Sequence, residues 1–273
     1  MKIPCRRVSE GTATGKVALS TAALSFLGEI DPATGKVDNS ASELHGQTVT
    51  DRVLTFPQAR GSTVGPYVIY GAGKRGVGPK AMVVQEADAI VASAAVIARL
   101  PCVDGIDIDL FRQGEEVTVN ATEAFVEFPH VKASPVVTSF LQDDKGRVLL
   151  LKRSKKVGSF QERWAGVSGY LEGKPPREQA LREIQEETGL TESEVKLVRE
   201  APPIYTRHEN EIFVVHPFLF KVRDPKVKLD WEHTEYEWVE PAEIGKRPTV
   251  PKLDKVWGAL SAPVTATATA PGA

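Results

Sequence analysis

The chain has 273 residues, 41% of them hydrophobic and 26% charged, with a formal net charge of −2. This ordinary globular composition leaves room for two domains and gives no electrostatic case for nucleic acid or an anionic membrane as partner. Two cysteines exclude a disulfide scaffold and fit a reducing cytoplasm, no signal-type apolar segment follows Met1–Arg7, and the longest apolar run, Ala89 to Leu100, is too short to cross a bilayer.

In chain order, residues 50–57 read as a strand carrying Val53, Leu54 and Phe56. The turn from Gln58 to Gly65 then leads into Tyr67-Val68-Ile69-Tyr70, which reads as helix. Ser62 or Thr63 is a natural N-cap for it. The free N–H groups of a helix start attract anions, so Arg60, Gly61 and Thr63 are candidate phosphate or carboxylate contacts. By itself such a turn is most often structural.

The wider pattern is more specific. It runs from Ser9-Glu10-Gly11-Thr12-Ala13-Thr14-Gly15 through residues 24–35, Arg52–Pro57, Arg60–Gly65 and Tyr67–Tyr70 to residues 88–92 and 101–107. Together these resemble the small subunit of the aconitase X family, above all its archaeal phosphomevalonate dehydratase group. The resemblance implies a swivelling β/β/α domain and a hydro-lyase that converts mevalonate 5-phosphate to trans-anhydromevalonate 5-phosphate in archaeal isoprenoid synthesis. It implies Ser62 as the proton acceptor. It also implies a large-subunit partner, forming a heterodimer, that carries an iron–sulfur cluster. Cys5 and Cys102 are too few to hold such a cluster here. Ala59 stands where the family often has Gly, and Pro66 where it often has a small polar residue. The wider family includes hydroxyproline dehydratases, which stay open as the alternative.

Residues 129–135, with Pro129 and Pro135, read as a linker between a domain at 1–128 and one at 136–260. Residues 136–142 and 147–153 read as strands joined by an Asp143–Gly146 turn. The strand at 147–153 ends on Lys152 and Arg153, candidate phosphate contacts. Next, Arg182-Glu183-Ile184-Gln185-Glu186-Glu187-Thr188-Gly189 reads as helix, with Pro175-Pro176 before it and Gly189 at its left-handed cap. Glu183, Glu186 and Glu187 share one face, where each like-charge pair costs about 0.2–0.5 kcal/mol. An acidic face is commonly only solvated. A Mg²⁺ ion would remove the repulsion and keep positions for water and phosphate.

With Trp164–Glu172 upstream and His233–Val239 downstream, this stretch resembles the Nudix box and its fold, an α/β/α sandwich. The resemblance implies hydrolysis of a diphosphate linkage with Mg²⁺ (or Mn²⁺) held by Glu183, Glu186 and Glu187. It gives Glu183 metal or base work, Arg182 the orienting of a carboxylate, and Gly169 and Gly189 supporting places. Glu232 or Glu235 is a further ligand candidate. The box departs from the pattern: counting back from Arg182 puts Lys174 at an acidic position and Ser168 at a glycine, and a one-residue deletion near Glu172-Gly173 restores Gly169 but leaves Lys174. A non-hydrolytic module that senses a diphosphate ligand therefore stands as the alternative. Both domains are α/β, and the Ala/Thr/Pro-rich stretch 261–273 reads as a disordered tail.

Overall fold

In a computed structural model of the chain, residues 1–223 and 226–262 are described. The chain divides into two compact units, one of Met1–Lys132 with Glu209–Ile212, the other of Ala133–His208 with the residues from Phe213 on. The greater part of the expected tail, from residue 263 on, lies outside the described residues.

The first unit is built on β1 (Lys2–Pro4), β2 (Arg6–Ser9), β3 (Thr12–Leu19), β4 (Arg52–Phe56), β5 (Ala81–Val84), β6 (Cys102–Asp104), β7 (Glu116–Asn120) and β8 (Phe125–Glu127). They form one mixed sheet in the order β1-β8-β7-β3-β4-β5-β6-β2. Its edge strands β1 and β2 are separated in sequence by Cys5 alone, so the sheet curls until its ends nearly meet. β3 through β6 run parallel. The crossovers between β4, β5 and β6 carry the helices α2 (Pro66–Lys74) and α3 (Ala89–Ala98). That arrangement buries both faces of the parallel strands, which is why β4 and β5 are near-continuous apolar runs.

A short helical turn, α1 (Phe26–Glu29), lies in the long connection between β3 and β4. Phe26 packs edge-to-face on Phe56 at 5.8 Å, which fixes the segment around Glu29 beside the loop that follows β4. The apolar run at Ala89–Leu100 is α3, capped by the Asp88 side chain, which accepts from the Val91 N–H. No helix among the described residues is long and apolar enough to cross a membrane.

The second unit holds β9 (Lys132–Gln142), β10 (Val148–Arg153), β11 (Trp164–Ala165), β12 (Val167–Tyr170), β13 (Val195–Glu200), β14 (Ile204–His208), β15 (Glu211–Val222) and β16 (His233–Val239). The main path is β11-β10-β9-β15-β13, with β12 on β9, β14 on β15 and β16 on β10. Alternation along β10 sends Leu149 and Leu151 to one core, with Ala180 and Ile184 of α4 (Pro176–Thr188). Val148 and Leu150 go to the other, with Val256 and Leu260 of α5 (Leu253–Ser261). Helices therefore cover both faces of the sheet.

Strand β9 takes in residues 132–135 of the segment read as a linker. Ser134 is buried, and the Leu171 N–H donates to the Pro135 carbonyl at 2.9 Å. α4 forms as its sequence suggests. Pro176 opens it where no N–H is needed, and Gly189 closes it at φ +73° with its N–H on the Gln185 carbonyl.

Candidate functional site

The acidic face of α4 divides into an inner and an outer part. Glu187 points into the unit and is 2% exposed. The Ser168 N–H at the start of β12 donates to both of its carboxylate oxygens at 3.3 Å. One turn earlier, the Glu183 carboxylate lies directly over Gly169. A Cβ on that glycine would sit 2.0 Å from Glu183 Oε1 and 2.1 Å from its Cδ. Gln179 Nε2 donates to the same Oε1 at 2.6 Å. Burial, then the neighbouring Glu183 charge, pushes the Glu187 carboxyl well above the usual range. Burial also raises Glu183, opposed by the Gln179 hydrogen bond and helped by the charges of Glu186 and Glu232.

Glu186 lies on the exposed side, where Arg182 Nε donates to it at 2.7 Å. Arg182 Nη1 reaches Glu172 Oε2 at 2.6 Å. Arg182 thus bridges two carboxylates, and the upstream one is Glu172. Lys174 keeps the acidic position vacant by count, while the turn through Gly173 at φ +78° brings Glu172 to the arginine.

Of the two further acidic candidates, Glu232 joins the cluster. Burial and the charges of Asp230 and Glu186 raise its carboxyl. Glu235 does not join, since it accepts from Lys152 Nζ at 2.8 Å. Lys152 and Arg153 are also separated. Strand alternation puts Arg153 on the α4 face with Leu151, and its charge offsets the rise at Glu232. Lys152 faces the other way with Leu150, its ammonium 6.0 Å from the Trp164 ring centroid. The two side chains therefore stand on opposite faces of the strand, Lys152 paired with Glu235.

The sequence reading missed Asp230 and His233. The His233 side chain is fully buried at the head of β16, with Nδ1 3.0 Å from Asp230 Oδ1. Its Nε2 is 3.8 Å from Glu187 Oε2 and has no hydrogen-bond partner. A histidine among acids at a strand start was visible in the sequence, but its register against α4 was not.

Among the described residues, no three His, Cys, Asp or Glu side chains are arranged to hold a metal ion as they stand. The donor chemistry nevertheless fits a small divalent cation. The cluster is made of carboxylates, half-buried Glu183 and buried Glu187 repel each other, and Gly169 leaves the room that Glu183 fills.

In the first unit, the loop after β4 is pinned from below. Arg60 Nη2 donates to Glu29 Oε1 at 2.7 Å, and Arg60 Nε to the Ala23 carbonyl at 2.9 Å. Glu29 is 3% exposed and also accepts from the Ser25 N–H. Gly61 has φ +100°, and a Cβ there would meet Ser25 Oγ at 2.8 Å. Ser62 and Thr63 lie exposed in the turn. Neither caps α2. The helix starts at Pro66, Gly65 in the cap position already has helical angles, and its N–H is used by the Ser62 carbonyl. Ser62 Oγ instead accepts from the Val64 N–H at 3.4 Å. Burial pushes the Cys5 thiol up to about 12 and raises Cys102 too.

Comparison with known proteins covers the chain in two blocks. Residues 2–128 match the family model of the aconitase X swivel domain, and residues 132–259 that of the NUDIX domain. The phosphomevalonate dehydratase small subunit of Thermococcus onnurineus is 47% identical over 127 residues, covering 46% of this chain and 98% of that protein. The Pyrococcus furiosus counterpart is 46% identical over 127 residues, covering 46% and 95%. Among solved structures, holo-form aconitase X of Thermococcus kodakaraensis is similar at 43% identity and a TM-score of 0.46, over 46% of this chain and 97% of that one. A MutT protein of Methanosarcina mazei Go1 is similar at 25% identity and a TM-score of 0.41, over 47% and 92%.

Proposed function

Because the chain belongs to the aconitase X swivel family through residues 2–128 and carries a Nudix domain in residues 132–259, we propose that it joins a phosphomevalonate dehydratase small subunit to a divalent-metal-dependent hydrolase of diphosphate linkages. The observation that carries the second half is the mutually repelling pair of half-buried Glu183, over the bare Cα of Gly169, and buried Glu187, on the Ser168 N–H. Two carboxylates are held there at a cost that a cation offsets. Glu183, Glu186 and Glu187 would hold Mg²⁺ or Mn²⁺. A bound cation supplies neutralisation of diphosphate charge and a more acidic water. Glu183, its carboxyl raised by partial burial, takes the proton of the attacking water as the general base. Arg153 meets the phosphate from the α4 face.

In the first half, Ser62 accepts the proton from the carbon of mevalonate 5-phosphate as trans-anhydromevalonate 5-phosphate forms. The iron–sulfur cluster belongs to a separate large subunit. Co-expression with the large subunit of the same genome tests this: mevalonate 5-phosphate is dehydrated by the complex and not by its Ser62→Ala form. A complex that dehydrates only a hydroxyproline would move the first half to the hydroxyproline group.

A second reading, of a diphosphate-sensing module, is favoured by Lys174 and by the hold of Arg182 on Glu186. Phosphate release by the parent chain with Mg²⁺, lost in Glu186→Gln, supports the hydrolase. Tight diphosphate binding without release supports the sensor. Turnover of nucleotide but no prenyl diphosphate would separate the second half from isoprenoid synthesis.

A further inference from the structure

Glu187 is gripped from two sides. Below it, the Ser168 N–H spans both carboxylate oxygens at 3.3 Å. Beside it, the buried His233 ring directs Nε2 at Oε2 from 3.8 Å. That nitrogen is one of three buried side-chain polar atoms without a hydrogen-bond partner among the described residues. A buried polar atom left so is costly unless something at the site answers it. The ring is not loose. Asp230 Oδ1 lies 3.0 Å from Nδ1, and His233 pairs with Arg153 across the β10–β16 ladder. The ring's plane and its outward nitrogen are therefore set by groups other than Glu187.

We propose that His233, backed by Asp230, is a positioning residue that holds the Glu187 carboxylate in the orientation a divalent cation requires. The inference rests on the reading of α4 as a metal-binding helix. Carboxylate–imidazole–carboxylate chains of this kind align ligating groups, and removing such a support costs about 10- to 100-fold in metal affinity. His233 touches neither cation nor diphosphate, so its role shows as ligand alignment and not as a lost ligand.

The test uses the full chain. Mn²⁺ binding is measured by titration calorimetry and electron paramagnetic resonance for the parent, His233→Leu, His233→Gln, Asp230→Asn and Glu187→Gln. His233→Leu should bind Mn²⁺ about 10- to 100-fold more weakly while the metal-free melting temperature is held. His233→Gln, which keeps a polar atom near the place of Nε2, should recover part of the loss, and Asp230→Asn should show an intermediate loss. In the parent, the ¹⁵N resonance of His233 Nε2 should move when Mg²⁺ is added, which a purely structural histidine would not show. If His233→Leu does not fold, Asp230→Asn and the ¹⁵N signal decide. Mn²⁺ affinity within twofold of the parent in both His233→Leu and Asp230→Asn, or an unmoved Nε2 signal, overturns the inference. If Glu187→Gln alone is weakened, the metal site stands and only His233 loses its role. Parental affinity in Glu187→Gln removes the metal site and this inference with it.

Discussion

The glycine under Glu183 offers the sharpest perturbation. Gly169 lies outside the left-handed region, so alanine brings no backbone strain there. At a compatible position the exchange even stabilises by about 0.4–1 kcal/mol. The new Cβ, however, would sit 2.0 Å from Glu183 Oε1 and 2.1 Å from Cδ. Carbon contacts settle near 3.5 Å, so the carboxylate retreats by about 1.5 Å, its flexible stem giving way before the backbone does. The retreat also draws it from Gln179, which donates to it at 2.6 Å. A misplacement of about 1 Å can cost about 100-fold, or about 2.7 kcal/mol of barrier. Gly169→Ala should therefore lose about two decades of kcat/KM in Mg²⁺-dependent diphosphate hydrolysis and bind Mn²⁺ more weakly. Its melting temperature should stay within a few degrees of the parent. Parental Mn²⁺ affinity and turnover would show that the place Glu183 occupies over Gly169 is immaterial, and the reading of the site would fall.

Glu187→Gln tests the buried charge through stability. The folded carboxyl is raised above its unfolded value, so the folded state holds its proton to higher pH. The metal-free parent should lose stability as pH rises from the ordinary glutamate range through the folded value, and the glutamine form should not. Their melting temperatures should diverge from about pH 5 upward, and Mg²⁺ at about 100 times its Kd should return about 2.7 kcal/mol to the parent alone; a flat difference across pH refutes the assignment. Arg60→Ala leaves Glu29, 3% exposed, without its guanidinium. It should cost about 1–3 kcal/mol in urea unfolding, less than a fully buried pair because Arg60 is 56% exposed, and Glu29→Gln in the same chain should recover part of it. Gly61→Ala, at φ +100° and 2.8 Å from Ser25 Oγ, should destabilise by about 1–2 kcal/mol and lower dehydration in the reconstituted complex. Ser62 should react slowly with a fluorophosphonate in the free chain and faster once the large subunit is added, and equal rates would place its activation inside this chain.

What could be read beforehand was mostly punctuation and period. Pro176 and Gly189 bound α4 in the sequence as they do in the structure, and the apolar spacing of Ala180 and Ile184 gives its buried face. The strand at His233–Val239 was legible as a block. Pairing across space was not. Lys152 and Arg153 are neighbours, so a two-residue period must send them to opposite faces, but only the register with Leu149 and Leu151 tells which face meets α4. The cap at Ser62 or Thr63 was misread because Gly65-Pro66 starts the helix later. A proline fixed near helical φ makes a natural first residue, and the turn before it closes on itself. Glu172 was passed over for Lys174 because counting residues ignores a glycine turn that shortens the path to Arg182.

The two candidate sites fail in opposite ways when the chain is alone, and this separates their chemistry. On α4 the groups are all present and too many. Buried Glu187 and half-buried Glu183 are like charges that a proton or a cation relieves, and both carboxyls are accordingly raised. At Ser62 the groups are too few. The Arg60 fork is spent on Glu29 and Ala23, and the start of α2 lies beyond Gly65. The hydroxyl keeps one hydrogen bond, at 3.4 Å, from the Val64 N–H of its own turn. Among the described residues that hydroxyl has no charged donor, and an alcohol without one is a poor base near neutral pH. On the proposed function the acidic cluster takes its cation within this chain, whereas the serine takes its electrostatics from the large subunit. It follows that metal binding and diphosphate chemistry belong to assays of this chain by itself, and proton abstraction to assays of the complex.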